Sequence, residues 1–463
     1  MNVPIERAIA ATHARTVNAE AMPAALRVVT DSRAIAPGDA FLALRGDRFD
    51  GHAFVRAALE RGAAVAIVDD PSAVPEGAPA LVVADTAAAL GALGAQARAL
   101  LRGRVVAITG STGKTTTKEF CAQLLRHAGL RVAATHANEN NEIGVPKLFL
   151  GADEDADVVV AELGARRYGD IAPLVAIARP DVAALTNVGD AHLEIMGSPQ
   201  RLAETKWQIF STGAQAVLNE HDEVCLRRRP TLDGVPWWFG TKSADSRNTP
   251  EEPCAEIVTD AAAGRNELAR FERGAVELVP IAFRLPGAHN LRNLAAACAV
   301  AFALGIDTAA VAAGVASLEL PGGRYERMRV GAFDVIFDAY NASMAGTLAT
   351  LDAFARERAA RRIAVLSSMA ELGDGAAAMH ERVGAAAAGA GLDALLVGGE
   401  HAGDLARGAR DAGLAADRLV NFERNSDAVR WLRDHARSGD VVLLKGSRMY
   451  RLEEIVEGLR GNG

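Results

Sequence analysis

Residues 105–117, VVAITGSTGKTTT, limit what this chain can fold into more than any other stretch. Val105 to Thr109 are apolar or β-branched and stop at Gly110, the pattern of a short strand buried inside a parallel sheet. The loop Gly110-Ser111-Thr112-Gly113 follows. Lys114, Thr115, Thr116 and Thr117 then lead into Lys118–Arg126, which has helical spacing. Strand, glycine loop and helix N-terminus, in that order, surround phosphate oxygens with backbone N–H groups. In such a loop Lys114 reaches the outer phosphates and the Thr115 hydroxyl meets a magnesium ion. The first glycine of the general phosphate-loop pattern falls on Ile108, so this loop is a shortened form.

The rest of the chain sets the class of protein. Its 463 residues allow two to four domains with full cores. The net charge is −8 and the basic residues are not gathered into one block, which excludes nucleic acid as a main partner. Cys121, Cys225, Cys254 and Cys298 show neither metal-ligand spacing nor a disulfide framework, and read as small buried hydrophobes in a reducing cytoplasm. Met1–Ala10 lacks the build of a signal peptide, and the longest apolar run, Leu294–Leu304, is too short to span a bilayer.

Residues 1–84 read as a small α/β domain, with strands at Leu26–Val29, Phe41–Leu44, Val65–Val68 and Leu81–Val83 and a helix over Ala53–Arg61. Its loops carry Asp31, Ser32 and Arg33, then Arg48 and His52. Those residues suit a ligand bearing phosphate or ribose hydroxyls, and equally suit turns and a helix cap. Over residues 85–319, strands and helices alternate around the phosphate loop. Thr86 caps a helix to about Leu101. The buried run Asp157–Leu163 ends near Glu162, a candidate magnesium ligand by position. His192 follows the strand Val182–Thr186, where ligands gather. Lys206, on the helix Arg201–Phe210, reads by default as solvated. Residues 215–285 read mainly as antiparallel strands, a subdomain or an insertion. Asn290 and Asn293 open an apolar helix and either cap it or read a purine edge. Residues 320–463 read as a second doubly wound α/β unit, with Asp338, Tyr340 and Asn341, then Met369–Gly373, then Lys445–Arg448 at successive strand ends.

These motifs, taken in order, resemble the Mur ligases, the ATP-dependent ligases that build the peptide of peptidoglycan. The carriers are the shortened loop, Arg45-Gly46-Asp47-Arg48-Phe49-Asp50 with His52, Asn138-x-Asn140-Asn141-x-Ile143-Gly144-Val145-Pro146, Ala191-His192-Leu193-Glu194, Met369-Ala370-Glu371-Leu372-Gly373 and Lys445-Gly446-Ser447-Arg448. The resemblance covers nearly the whole chain. It implies three domains: an N-terminal α/β domain for a UDP-linked substrate, a central P-loop ATPase-like domain with a mostly parallel sheet and an antiparallel part, and a C-terminal Rossmann-like domain for the amine. It implies that Gly110, Ser111, Thr112, Gly113, Lys114, Thr115, Thr116, Asn290, Asn293, Arg324 and Asp338 bind ATP. Asp31, Ser32, Arg33, Arg48, His52, Asn138, Asn140 and Asn141 fall to the UDP substrate, and Tyr340 and Asn341 to the amine. Thr115, Glu162, His192 and Lys206 would serve two magnesium ions, with Lys206 carried as a carbamate. Lys114, Lys206, His192 and Glu162 form the implied catalytic set.

Three positions depart from the family pattern. Tyr340-Asn341-Ala342-Ser343-Met344 replaces a common Tyr-Asn-Ala-Asn-Pro, Ala137 stands where glycine is common, and Gln208 replaces a frequent glutamate. Within the family the motifs point to the members that join D-Ala-D-Ala to UDP-N-acetylmuramoyl-tripeptide, acting as cytoplasmic monomers. Another amino-acid ligase of the superfamily, and a nucleotide-binding regulatory subunit without ligase activity, are the alternatives. The presence of Lys114, Glu162, His192 and Lys206 together argues against the second.

Overall fold

The computed structural model describes residues 1–46, 49–189, 193–244, 251–260 and 262–461. Among the described residues, three large sheets follow one another along the chain, and two two-stranded pairings lie within residues 3–50. The first has five strands, β1 (Arg15–Val17), β2 (Val28–Val29), β3 (Ala40–Leu42), β4 (Val65–Val68) and β5 (Ala80–Val82), in the order β1-β5-β4-β3-β2. Only β1 pairs antiparallel. Helix α1 (Thr86–Leu100) leads to the second sheet. Its N-cap is Asp85, whose carboxylate accepts the Ala88 N–H, so Thr86 is the first helical residue rather than the cap.

The second sheet has nine strands. The chain first runs through β6 (Arg104–Thr109), helix α2 (Lys114–His127), β7 (Val132–Ala134), helix α3 (Gly144–Gly151), β8 (Val158–Glu162) and β9 (Val182–Leu185). After α4 (Pro199–Trp207) come β10 (Gln215–Asn219), β11 (Trp237–Ser243), β12 (Cys254–Asp260), β13 (Arg265–Glu272) and β14 (Ala275–Ile281). The order is β7-β8-β6-β9-β10-β11-β12-β13-β14. The strands from 215 onward were expected to be mainly antiparallel. In fact β10, β11 and β12 continue the parallel run, and only β13 and β14 turn antiparallel. They extend the same sheet and form no separate subdomain. Alternate residues of β6 feed opposite cores. Val105 and Ala107 face a cluster that also holds Leu90 and Leu93 of α1 and Val65 and Ile67 of β4. Val106 and Ile108 face Phe120 and Leu124 of α2 and the apolar side of α5 (Ala288–Ala303). The first sheet and one face of the second thus share a core.

The third sheet begins with an antiparallel edge strand, β15 (Glu326–Val330), paired to β16 (Phe333–Asp338). It continues through α6 (Met344–Ala355), β17 (Arg362–Ser367), α7 (Ala376–Gly389), β18 (Ala394–Gly398), α8 (Ala402–Asp411), β19 (Leu419–Asn421) and β20 (Val441–Lys445). The order β15-β16-β20-β17-β18-β19 is parallel from β16 onward, with apolar clusters on both faces as a doubly wound sheet requires. No helix among the described residues is long and apolar enough to cross a membrane.

Candidate active site

The phosphate loop joins β6 to α2 and is fixed from the neighbouring strand end. Gly113 has φ +78° and Gly110 φ +153°. A Cβ at Gly113 would stand 2.4 Å from Asn293 Oδ1, and one at Gly110 would stand 1.9 Å from Thr186 Oγ1, so both positions require glycine. Thr186 Oγ1 donates to Thr112 O at 2.6 Å, Asn187 Nδ2 donates to the same oxygen at 3.0 Å, and Thr112 N donates to Asn187 Oδ1 at 3.1 Å. Asn187, which sequence reasoning did not assign, therefore holds the loop open. The first N–H groups of α2 have no acceptor within the helix and carry its positive end. Lys114 Nζ lies back on its own loop, donating to Gly110 O at 2.9 Å and Ser111 O at 3.4 Å.

Glu162 ends β8 beside the loop with 1% exposure. Its N–H donates to Thr135 Oγ1 at 2.9 Å, and Lys118, fully buried on α2, donates to Thr135 O at 2.6 Å. Asn140 Nδ2 donates to Oε1 at 2.8 Å, whereas Oε2 is buried without a partner. A buried carboxylate oxygen lacking a donor, near a threonine at the start of α2, suits a hard cation that takes oxygen ligands. Thr115 and Glu162 are thus the residues that would hold magnesium. His192, the implied imidazole ligand, lies outside the described residues, as does Arg48.

Lys206 is not a solvated helix residue. It is 1% exposed and sits behind the loop, where Nζ donates to Gly110 O at 3.0 Å, so two ammonium groups share one carbonyl. Burial, and then the charge of Lys114, hold its pKa well below the ordinary lysine value. Burial lowers Lys114 as well, with Glu162 opposing and Arg324 adding to the shift.

A cavity of about 1140 Å³ runs from this loop to the strand ends of the third sheet. Among its lining are Lys114, Thr115, Glu162, Asn290 and Asn293 on one side and Arg324, Asp338, Tyr340 and Asn341 on the other, so the nucleotide and amine candidates meet in one space. Asn290 and Asn293 do not cap α5, whose N-cap is Gly287. Asn290 Nδ2 donates to Pro286 O at 2.7 Å, and Asn293 Nδ2 donates to Asn290 Oδ1 at 3.3 Å. The Arg324 guanidinium lies 4.0 Å from the centre of the Tyr340 ring. Lys445, singled out in sequence within a strand-end motif but given no role there, holds Asp338 at 3.2 Å and donates to Asn341 O at 2.7 Å. Ser343, where asparagine is common, caps α6 by accepting the Gly346 N–H. Ala137 adopts φ +45°, which explains why glycine is common there.

Asn138, Asn140 and Asn141 also line this cavity, nearer Glu162 than the first sheet. Asp31, Ser32, Arg33 and His52 do not line it. Asp31 caps the short turn Ser32–Ala34 and pairs with Arg33 at 2.8 Å, which holds its carboxyl at about 2. His52 is turned inward: Nδ1 meets Asp50 Oδ1 at 2.6 Å and Nε2 lies 3.2 Å from the Asp69 N–H nitrogen. Turn chemistry therefore accounts for these side chains as they stand. The Asp31 loop nevertheless feels the charge of Lys147 on α3, and Lys147 pairs with Glu139, so it lies on the same side as the asparagine loop.

Three family models match successive parts of the chain: the Mur ligase family catalytic domain over residues 27–98, the Mur ligase middle domain over residues 108–301 and the Mur ligase glutamate ligase domain over residues 323–448. The UDP-N-acetylmuramoyl-tripeptide–D-alanyl-D-alanine ligase of Synechocystis sp. is 34% identical over 438 residues, covering 93% of this chain and 91% of its own. The chain belongs to the Mur ligase family. Its three-domain α/β architecture is that of solved Mur ligases. MurF from Acinetobacter baumannii superposes with a TM-score of 0.84 at 28% identity, covering 99% of both chains. MurF from Thermotoga maritima in complex with ADP gives 0.77 at 28% identity, covering 94% of this Mur ligase and 97% of that chain.

Proposed function

We infer that this Mur ligase joins D-Ala-D-Ala to UDP-N-acetylmuramoyl-tripeptide with consumption of ATP, in the synthesis of peptidoglycan precursor. The observation that carries this reading is the single cavity uniting Lys114, Glu162 and the asparagines of α5 with Arg324, Asp338 and Tyr340 of the third sheet. Near full-length identity to a relative of that name supports it. Residues 1–84 then serve the UDP-linked substrate, 85–319 ATP and 320–463 the amine. The enzyme works as a monomer in the cytoplasm, in keeping with four buried, unpaired cysteines.

In the first step the terminal carboxylate of the UDP-linked peptide attacks the γ-phosphate of ATP and ADP leaves. In the second, the dipeptide amine attacks the acyl phosphate, and phosphate leaves from the tetrahedral intermediate. Two anions must meet in the first step, so positive charge has to be arranged beforehand. Lys114 exchanges its carbonyl contacts for phosphate oxygens, the N-terminus of α2 faces the same oxygens, and Arg324 closes from the third domain. Asn290 and Asn293 hold the adenine end, and Asp338 the ribose. Magnesium, when bound at Thr115 and Glu162, neutralises phosphate charge. Lys206, whose pKa burial holds well below the ordinary lysine value, gives up its ammonium proton more readily than a free lysine; the amine then adds carbon dioxide and loses one further proton to become a carbamate anion beside Lys114. Closure of the third domain keeps water from the acyl phosphate.

The test is incubation of the purified protein with ATP, magnesium, UDP-N-acetylmuramoyl-tripeptide and D-Ala-D-Ala, with mass detection of the pentapeptide product. Product with one ADP per bond is expected for the wild type, and Lys114→Ala abolishes it. ADP release without an amide product, or ligation retained in Lys114→Ala, refutes the reading.

A further inference from the structure

By resemblance Asn138, Asn140 and Asn141 fall to the UDP-linked substrate, yet two of them commit their side chains to the protein itself. Asn141 Oδ1 accepts the Gly144 N–H at 3.0 Å and the Ile143 N–H at 3.3 Å, closing the turn into α3. Asn140 Nδ2 donates to Glu162 Oε1 at 2.8 Å. A carboxylate only accepts, so the end of the Asn140 amide that faces it is the NH2. The carbonyl end lies over Gly164, where a Cβ would stand 2.5 Å from Oδ1, and Gly164 N donates to Asn140 O at 2.7 Å. Only glycine at 164 lets the asparagine come this close.

The same loop is strapped at its other end. Thr135 is buried just past β7; its N–H donates to Val160 O at 3.0 Å and its hydroxyl oxygen accepts the Glu162 N–H. Its carbonyl accepts Lys118 Nζ, which has no exposed surface and also meets Glu119 Oε1 at 2.5 Å. An ammonium taken out of water is costly unless it is paired and hydrogen-bonded, and this one is committed to a backbone oxygen beside Glu162. Lys118 follows Thr115 by three positions, the spacing of neighbours on one helix face. The helix that carries Thr115 is thereby tied, through Thr135, to the strand end that carries Glu162.

These ties matter because a cation position shared by a helix and a strand works only when both oxygens are set in advance. The last torsion of a glutamate side chain is broad and roughly two-fold, so an unheld Glu162 carboxylate would swivel. The Asn140 hydrogen bond to Oε1 removes that freedom and leaves Oε2, buried without a donor, as the oxygen for the ion. A group that holds a metal ligand by its other atom sets the affinity of the site nearly as much as the ligand does.

We propose that Asn140 is a positioning residue for the magnesium carboxylate, orienting Glu162, and that Thr135 and Lys118 fix the loop that carries it. Its place is in the metal chemistry of the second domain rather than in recognition of the UDP-linked substrate. This rests on the reading of Thr115 and Glu162 as the magnesium position.

Manganese(II) binding to the full chain with an equimolar amount of ADP, followed by loss of the free-ion electron paramagnetic resonance signal, tests it. Asn140→Ala should weaken manganese binding roughly 10- to 100-fold, the usual effect of losing a group that holds a metal ligand. ADP affinity in EDTA and UDP-tripeptide affinity, both by calorimetry, should stay at their wild-type values. Thr135→Val keeps the shape of the side chain, removes only the hydroxyl, and should weaken manganese binding in the same direction. Circular dichroism checks the fold of each variant, and Thr135→Val decides the matter if the alanine variant does not fold. Unchanged manganese affinity in the folded variant overturns the proposal. So does a fall in UDP-tripeptide affinity alone, or an equal fall in metal-free ADP affinity, which would mark general damage to the site. Glu162→Gln is the control. If it too leaves manganese binding intact, the magnesium position itself is wrong and the proposal falls with it, whereas binding lost in Glu162→Gln but kept in Asn140→Ala refutes the role of Asn140 alone.

Discussion

Replacing Lys206 by methionine should make the resting enzyme more stable while ending its activity. Lys114 Nζ and Lys206 Nζ lie 2.9 Å and 3.0 Å from the same Gly110 oxygen, so the two nitrogens are no more than about 5.9 Å apart. At an effective dielectric of about 20, two unit charges at that distance repel by about 3 kcal/mol. Methionine fills nearly the same volume without charge, and Gly110 O keeps Lys114 as a donor, so the lost hydrogen bond costs about 1 kcal/mol. The net expectation is about 2 kcal/mol of added stability, read as a higher urea midpoint at neutral pH under carbon dioxide-free conditions. The gain has a pH signature. Because folding lowers the Lys206 pKa, the unfolded wild type binds more protons and its stability rises with pH up to the ordinary lysine range. The advantage of Lys206→Met should therefore shrink as pH rises above neutrality. Bicarbonate should stabilise the wild type, by turning repulsion of Lys114 into attraction, and leave the variant unmoved. Ligation should fall below detection in Lys206→Met, and short carboxylates should partly restore it in Lys206→Ala. A variant less stable than wild type without bicarbonate, or one that ligates normally, would refute the argument.

Two further tests concern the scaffold. Lys242 bridges Glu256 at 2.5 Å and Glu220 at 3.7 Å, with Glu256 almost fully buried, so Lys242→Met should lose about 3–5 kcal/mol in chemical denaturation. Burial already raises the Glu220 pKa, so the folded variant holds protons better than the unfolded chain, and part of the loss should return on acidifying from neutrality toward the ordinary glutamate range. Asp85→Ala should cost about 1 kcal/mol by uncapping α1, seen as a lower Tm in calorimetry.

The sequence was most legible where structure is local. The strand, loop and helix of residues 104–127 are contiguous, and each glycine or hydroxyl acts within a few positions of its neighbours. Strand direction was not legible: β10 to β12 look alike in composition whichever way they run, and their parallel course is set by crossovers through helices and loops. The burial of Lys206 was illegible from its helix alone, because its partner, Gly110, lies 96 positions away. Asn187 holds the loop from 75 positions off, and Lys445 reaches Asn341 across 104. The resemblance drew attention to Lys206, whose local pattern read as solvated and whose side chain is buried behind the loop. The cap at Asp85 was one residue from the expected Thr86, the ordinary ambiguity of two adjacent capping types.

Arg324 follows Pro321, Gly322 and Gly323, the joint between the second and third sheets, and stacks on Tyr340 at the end of β16. It would therefore travel with the third sheet, although in the mechanism proposed above it acts against the phosphate loop. A swing about that joint wide enough to admit a nucleotide withdraws the guanidinium in the same motion. On that mechanism, loading and reacting would be mutually exclusive shapes of one molecule, and ATP would not be spent before both partners are seated.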